Sequence, residues 1–133
     1  PKDVHSGDTL LLDDGRIVMT VRSVSGNKIN CEVVHGGKLS NNKGINRMGG
    51  GLSAGALTDK DRADLAMAAK IDVDYVAISF PRSAKDMQEA RELLDKAGGK
   101  SIGTVAKIER TEAVANIDEI ILASSAVMVA RGD

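Results

Sequence analysis

A lysine and two acidic residues in the C-terminal third of the sequence have the types and spacing that phosphoryl chemistry requires. Lys107 and Glu109 are two residues apart, so an extended backbone directs both side chains to one face and turns Ile108 away. Asp133 follows the next apolar run and can bring a second carboxylate close to Glu109. Two carboxylates with open positions can bind Mg²⁺ or Mn²⁺ when a phosphate completes the shell, and a neighbouring lysine stabilises charge on a transferring phosphoryl group.

The same charged residues have a simpler interpretation, which spacing alone leaves open. Charged side chains at strand ends are commonly solvated or paired with each other. His5 and His35 belong to no cluster with metal-ligand spacing, and Cys31 has neither a second cysteine nor a nearby base. We expect these three residues to have no catalytic role.

An alternation of helices and short apolar strands after Leu57 would position Lys107 and Glu109. We interpret three apolar runs as strands: Tyr75–Phe80, Ile102–Ile108 and Val127–Ala130. Strands joined by helices pair in parallel, are buried on both faces and carry function at their carboxyl ends. The repeat length suits a (β/α)₈ barrel or a doubly wound sheet equally well.

Two helices are predicted between these strands. Thr58 with Asp61 is typical of a capping box that begins a helix ending near Lys70, and Ser83 with Asp86 is typical of a second one. The second helix should bury one stripe of residues: Met87, Ala90, Leu94 and Ala97.

The sequence from Thr9 to about His35 has a β pattern. Three runs rich in β-branched residues, Thr9–Leu12, Arg16–Val24 and Lys28–Val34, are separated by the turn dipeptides Asp14-Gly15 and Gly26-Asn27. This pattern predicts an antiparallel meander.

Residues Gly36–Gly55 hold half of the chain's 14 glycines and show no helix or strand period. The glycine density favours a linker over a ligand-binding loop, and no nucleotide-binding fingerprint occurs in it. We expect this stretch to lack regular structure for most of its length and to connect two rigid bodies.

Composition excludes several classes of protein. The 133 residues are 42% hydrophobic and 28% charged with net charge −1, which is typical of a globular domain or parts of two. The apolar runs fall far short of the ~20 residues that span a bilayer. The chain has no excess of basic residues and few aromatic ones, which argues against a nucleic-acid partner. A lone cysteine and no leader favour the cytoplasm.

Because the chain starts at Pro1 and stops at Asp133 directly after an apolar run, we expect a piece of a longer protein.

Six motifs, in order and spacing, resemble pyruvate kinase of the bacterial type over essentially the whole chain from about Gly7. They are Leu12-Asp13-Asp14-Gly15, Asn42-Lys43-Gly44-Ile45-Asn46, Leu57-Thr58-Asp59-Lys60-Asp61, Ile78-Ser79-Phe80-Pro81-Arg82, Ala106-Lys107-Ile108-Glu109-Arg110 and Met128-Val129-Ala130-Arg131-Gly132-Asp133. The resemblance implies an α/β fold: a partial (β/α)₈ TIM barrel of about three βα units, preceded by part of a small antiparallel β lid domain. Residues 1–48 would be the C-terminal part of the lid and residues 49–133 the partial catalytic barrel.

The resemblance also implies a role for each site residue. Lys107 corresponds to the lysine that stabilises the transition state, and Glu109 and Asp133 to the carboxylates that hold Mg²⁺ or Mn²⁺. Gly132 and Asp133 would offer backbone N–H groups to the substrate carboxylate, and Ser79 would line the site.

The implied activity is transfer of phosphate from phosphoenolpyruvate to ADP, giving pyruvate and ATP in glycolysis. The parent would be a cytoplasmic homotetramer that also uses K⁺, but the family's potassium ligands and an arginine that grips phosphate have no counterpart in this chain. We therefore expect the isolated piece to be inactive. Where many relatives have a proline-containing loop, this chain has Arg47-Met48-Gly49-Gly50-Gly51, which favours a looser hinge.

Two other functions stay open at this point. One is a barrel aldolase or lyase that stabilises a pyruvate enolate with a divalent metal. The other is a small non-enzymatic binding module. The β insertion argues against the first.

Overall fold

A computed structural model of the chain describes residues 1–129. It divides into two compact units, one running from Pro1 to Ser53 and the other starting at Ala54. The described elements of the first unit are β1 (Thr9–Leu12), β2 (Ile17–Ser25), β3 (Lys28–His35) and β4 (Ile45–Arg47). Those of the second are α1 (Asp59–Lys70), β5 (Tyr75–Ile78), α2 (Ala84–Lys96), β6 (Gly103–Ile108), α3 (Thr111–Ala115), α4 (Ile117–Leu122) and β7 (Ala126–Val129).

The β unit is an antiparallel sheet with strand order β3-β2-β1-β4. Its first three strands confirm the predicted meander, and Gly26 takes the positive φ (54°) that the tight β2–β3 turn requires. The unit buries a small apolar cluster around Val4, Leu10 and Val21. Three buried residues make a modest cluster for a sheet of this size.

The glycine-rich stretch is irregular for most of its length, as predicted, but it contains a strand that the sequence analysis missed. Residues Ile45–Arg47 form β4 and pair with β1 in the register Leu11↔Asn46. Three residues are too few for an alternating pattern to be recognised, so tertiary pairing, not local sequence, defines this strand.

The α/β unit has a parallel sheet in the order β5-β6-β7, which confirms the predicted parallel pairing. Along β6, Thr104 and Ala106 are buried on the side of the helices. The described core cluster joins residues of the helices and strands: Leu65, Ile78, Met87, Ala90, Leu94, Ile102, Ala106, Ala113 and Ile120. This apolar core holds β5 and β6 in place beneath their carboxyl ends.

The expectation that these strands are buried on both faces is wrong for the described residues. Every residue of β7 is exposed, and Val129 is 76% exposed. The reason is that the helices cover the face of the sheet that carries Ala106, and β7 contributes nothing to the core cluster.

Both predicted helices form, but only one has the predicted cap. Thr58 and Asp61 make the full capping box of α1. At α2, the Ser83 side chain makes no capping hydrogen bond. The Asp86 backbone N–H donates to the Ser83 carbonyl at 3.2 Å, and the Asp86 carboxylate accepts from the backbone N–H and guanidinium of Arg82. Of the predicted stripe, the first three residues are buried and Ala97 is exposed, since it lies at the C-cap.

Two short helices, α3 and α4, follow β6 and were not predicted. They meet at Asn116 and bury only Ala113 and Ile120, so they carry too few turns for a helical period to be visible in the sequence. None of the helices that the structure describes has the length and apolar content needed to cross a bilayer. The assignment of residues 1–48 and 49–133 to a lid and a barrel stays a prediction.

Candidate active site

Lys107 and Glu109 lie together at the carboxyl end of β6, on the face opposite Ala106. The Lys107 ammonium is 2.8 Å from Glu109 Oε1, which confirms that the two side chains share a face. Ile108 turns the other way and packs against the core cluster. Strand alternation and an apolar core on one side therefore explain why a lysine and a carboxylate meet on the other.

The Glu109 carboxylate is buried and fixed from a neighbouring strand. Its side chain is only 1% exposed, against 20% for Lys107. Glu109 Oε2 accepts a hydrogen bond of 2.9 Å from the backbone N–H of Phe80, which follows β5. A buried carboxylate is stable only when it is paired, and here one oxygen has a cation and the other an N–H group.

Ser79 is the third sequence-predicted residue that the structure brings to this place. The Lys107 ammonium donates a 3.2 Å hydrogen bond to Ser79 Oγ. Parallel pairing of β5 with β6 produces this contact, since Ile78 is in register with Ala106. The lysine head is thereby oriented from two strands.

The turn after β5 contains a feature that the sequence analysis missed. Phe80 has a positive φ of 57° although it is neither glycine nor asparagine, and it precedes Pro81, a position that favours extended backbone. The Arg110 guanidinium lies 5.6 Å from the centre of the Phe80 ring, within the range of a cation–π contact. The only sequence signal was the run of Ser79 to Arg82 at a strand end, which indicates a site but no backbone conformation.

The chain beyond this turn is fixed by an ion pair between the partly exposed Arg82 and the buried Asp86. Burial of Asp86 raises its pKa, but hydrogen bonds from the guanidinium and the backbone N–H of Arg82 outweigh burial and leave the pKa below its ordinary value. Asn116 adds a 2.9 Å hydrogen bond from its amide to the Arg82 carbonyl. Residues on both sides of Phe80 are therefore held in place.

Gly132 and Asp133, the remaining predicted site residues, lie outside the described residues. The register pairs Ile108 with Val129, the last residue described, so the structure does not test the convergence of Asp133 with Glu109. Within residues 1–129, no group of three or more His, Cys, Asp or Glu side chains could hold a metal ion.

The environment of Glu109 fits one ligand position of a hard divalent cation. Glu109 Oε1 is buried and accepts no hydrogen bond from the residues described, and its ion-pair neighbour is the Lys107 ammonium. A buried carboxylate oxygen that accepts no hydrogen bond, on a carboxylate whose other oxygen is already fixed, suits Mg²⁺ or Mn²⁺, although the Lys107 ammonium competes with the cation for it. A second carboxylate would have to come from beyond residue 129.

Two hollows adjoin the turn. One, of about 560 Å³, lies between the start of α1 and the end of β5 and is lined partly by Thr58, Ile78, Ser79 and Arg110. Another of about 560 Å³ is lined partly by Glu109 and Val114. Lys107 lines neither of these two.

A parallel sheet joined by helices defines an α/β protein, and in such folds function gathers at the carboxyl edge, where Lys107 and Glu109 lie. The whole chain, residues 1–133, matches the family described as pyruvate kinase, barrel domain. The chain belongs to the pyruvate kinase family. This membership does not favour the aldolase or the binding-module alternative.

Curated relatives agree with the family. The chain is 59% identical over 136 residues to pyruvate kinase of Haemophilus influenzae and 58% identical over 136 residues to pyruvate kinase II of Salmonella typhimurium. Each of those alignments covers 100% of this chain, and a third, to pyruvate kinase of Corynebacterium glutamicum, is 46% identical over 132 residues and covers 99% of it. The chain spans 28% of the length of each of these relatives.

Proposed function

We propose that these residues form part of the active site of a pyruvate kinase, which transfers the phosphoryl group of phosphoenolpyruvate to ADP. The P–O bond of phosphoenolpyruvate breaks, a new P–O bond forms to the terminal phosphate of ADP, and the enolate that is left takes a proton to become pyruvate. Family membership and the names of the relatives support this activity.

The observation that carries the proposal is the Lys107–Glu109 pair at the carboxyl end of β6. Phosphoryl transfer needs little covalent chemistry from the protein and depends on positioning and on stabilisation of negative charge. The Lys107 ammonium is oriented by Ser79 Oγ at 3.2 Å and by Glu109 Oε1 at 2.8 Å. It is suited to stabilise charge that develops on the transferring group.

We assign the other roles on the same basis. Glu109, together with Asp133, would hold Mg²⁺ or Mn²⁺, and the Gly132 and Asp133 backbone N–H groups would bind the substrate carboxylate. The bound metal would supply a Lewis acid for the phosphoryl oxygens. Ser79 would orient Lys107 and contribute no chemistry of its own.

Several wider features belong to the same proposal. The α/β unit would be part of a (β/α)₈ barrel and the β unit part of its lid, with K⁺ bound by residues outside this chain. The parent would be a cytoplasmic homotetramer. The chain alone would not turn over, because half of the positioning groups lie elsewhere.

The test uses the full-length protein that contains these residues. With phosphoenolpyruvate, ADP, Mg²⁺ and K⁺, it should form pyruvate and ATP in equal amounts, and removal of Mg²⁺ by a chelator should stop the reaction reversibly. Pyruvate formation that persists without divalent metal, or an absence of ADP dependence, would overturn the proposal.

A further inference from the structure

Phe80 occupies a conformation that its own residue type disfavours. Its φ of 57° lies in the left-handed region, and the following Pro81 favours extended backbone instead. Such outliers persist only where the surrounding structure imposes them, and they cluster at functional sites. The question is what this conformation achieves.

The backbone N–H group of Phe80 is directed at Glu109. The Phe80 N–H donates to Glu109 Oε2 at 2.9 Å, and this leaves Glu109 Oε1 facing the Lys107 ammonium. The two oxygens of one carboxylate are thus given separate tasks.

The Phe80 side chain is held by the residue that directly follows Glu109. The Arg110 guanidinium is 5.6 Å from the ring centre, and Arg110 Nε is buried without a hydrogen-bond partner among the described residues. Nη1 of the same guanidinium donates to the Ala54 carbonyl at 3.4 Å, so Arg110 contacts both the aromatic ring and a backbone acceptor. Glu109 holds the backbone of Phe80 while Arg110 holds its ring.

Neighbouring contacts prevent the turn from relaxing. Ser79 accepts from Lys107 on one side, Pro81 is fully buried, and the Arg82 carbonyl accepts from Asn116 on the other. Residue 80 is therefore determined by its surroundings from both directions.

We propose that Phe80 is a positioning residue that, with Arg110, fixes which oxygen of Glu109 is presented for metal binding. This inference rests on the proposed function, in which Glu109 is a ligand of the divalent cation. Groups that orient a metal ligand typically change metal affinity by about 10- to 100-fold when they are lost.

The test measures Mn²⁺ binding to the full-length protein by electron paramagnetic resonance, in the absence of substrates. Phe80→Ala keeps the disfavoured φ but removes the ring, and it should weaken Mn²⁺ binding by about 10-fold or more. Phe80→Tyr keeps the ring and should bind Mn²⁺ within about twofold of the unmodified protein. Arg110→Met removes the cation from the ring and should weaken binding in the same direction by a few-fold.

A matched control separates positioning from general loss of packing. Tyr75 is an aromatic residue at the start of β5, the strand that precedes Phe80, and Tyr75→Ala should leave Mn²⁺ affinity unchanged. If Phe80→Ala and Arg110→Met retain normal Mn²⁺ affinity, or if Tyr75→Ala weakens it equally, the inference is wrong. Should Phe80→Ala fail to fold, Arg110→Met and Phe80→Tyr decide the matter.

The outcome also distinguishes this inference from the proposed function. An unmodified full-length protein that binds no Mn²⁺ and makes no pyruvate contradicts the proposed function. An active protein whose Mn²⁺ affinity is insensitive to Phe80 and Arg110 contradicts only the positioning role.

Discussion

The two units of this chain use lysine–carboxylate pairs of the same length in different ways. In the β unit, the Lys43 ammonium is 2.8 Å from Asp13 Oδ1 in the turn that connects β1 to β2. In the α/β unit, the Lys107 ammonium is 2.8 Å from Glu109 Oε1. The distances agree, but Asp13 lies in a turn of a unit with a small apolar cluster, whereas Glu109 lies at a strand end above an extensive core.

The difference indicates which charged groups the fold requires. In the β unit, the polar contacts of Asp13 and Arg47 hold turns and loops that few apolar contacts stabilise. Arg47 donates to the Asp3 carbonyl at 2.8 Å and to the Gly50 carbonyl at 2.6 Å. In the α/β unit, the apolar core already holds the strands. A buried charged pair that the fold does not require is therefore the better candidate for chemistry.

Replacing Lys107 by Met in the full-length protein should give the largest effect on function. The substitution removes a charge that acts mainly on the transition state, so kcat should fall by on the order of 10³ or more while the KM for phosphoenolpyruvate changes little. Steady-state kinetics at saturating Mg²⁺ measures both quantities.

The same variant shows whether the pair stabilises the fold. Without metal, Glu109 would be left buried beside a neutral side chain, and the unfolding temperature should fall. With Mg²⁺ bound at Glu109, it should return close to that of the unmodified protein. If Mg²⁺ does not restore the unfolding temperature, the fold itself requires the Lys107–Glu109 pair, and the contrast with the ion pairs of the β unit is wrong.

Truncation of one core residue in each unit compares their apolar contributions. Leu94→Ala should cost about 2–5 kcal/mol of unfolding free energy, and Val21→Ala less, because it removes fewer carbon atoms. Since the two core clusters share no residue, hydrogen exchange should accelerate in α2 and β6 for the first variant and in β1–β3 for the second. Equal acceleration in both units after either substitution would disprove their independence.

Substitutions at two glycines after β4 test how much the hydrogen bonds of Arg47 stabilise the β unit. Gly49 and Gly51 both have positive φ (84° and 89°), so alanine strains the backbone at either one. Only at Gly51 would the new Cβ overlap the Arg47 guanidinium, which holds the Asp3 and Gly50 carbonyls.

Gly51→Ala should therefore cost about 1–2 kcal/mol more than Gly49→Ala, the matched control. Denaturant unfolding combined with exchange of the β1–β4 amides measures the difference. If both substitutions lower the unfolding free energy equally, the Arg47 contacts contribute no stability, and the loop is as flexible as its glycine content predicts.

The smallest expected effect is on pH dependence. The pKa of Asp86 is lowered in the folded protein because the Arg82 hydrogen bonds outweigh burial, so its contribution is present above the ordinary value of 3.8 and is lost as the pH falls through the folded pKa. Asp86→Asn should make the stability of the α/β unit less dependent on pH below about 4. If the unfolding free energy of Asp86→Asn falls with acid as steeply as that of the unmodified protein, the ion pair contributes nothing to stability.

Most of the fold could be predicted from the sequence because it depends on local signals. The β meander follows from β-branched runs and glycine turns, and α1 from Thr58 with Asp61. The cap of α2 could not be predicted from the spacing of Ser83 and Asp86, since the Asp86 carboxylate accepts from the backbone and side chain of Arg82 and the Ser83 side chain makes no capping hydrogen bond. Strand β4 was missed because its pairing with β1 spans more than 30 residues.

The candidate site was predictable only in part. Two-residue spacing placed Lys107 and Glu109 on one face, and the strand-end rule placed Ser79 near them. The backbone N–H of Phe80 that fixes Glu109 comes from the turn after a neighbouring strand, and no residue type in the motif predicts the positive φ of Phe80. Its discovery required the three-dimensional structure.

Direct Mn²⁺ binding to Glu109→Gln and Lys107→Met in the full-length protein tests the central claim most directly, namely that the two partners of one ion pair have different tasks. We expect Glu109→Gln to weaken Mn²⁺ binding by about 10-fold or more, because it neutralises a proposed ligand. Lys107→Met should bind Mn²⁺ at least as tightly as the unmodified protein, because it removes a competing positive charge. Normal Mn²⁺ affinity in Glu109→Gln, or weakened affinity in Lys107→Met, would contradict the account.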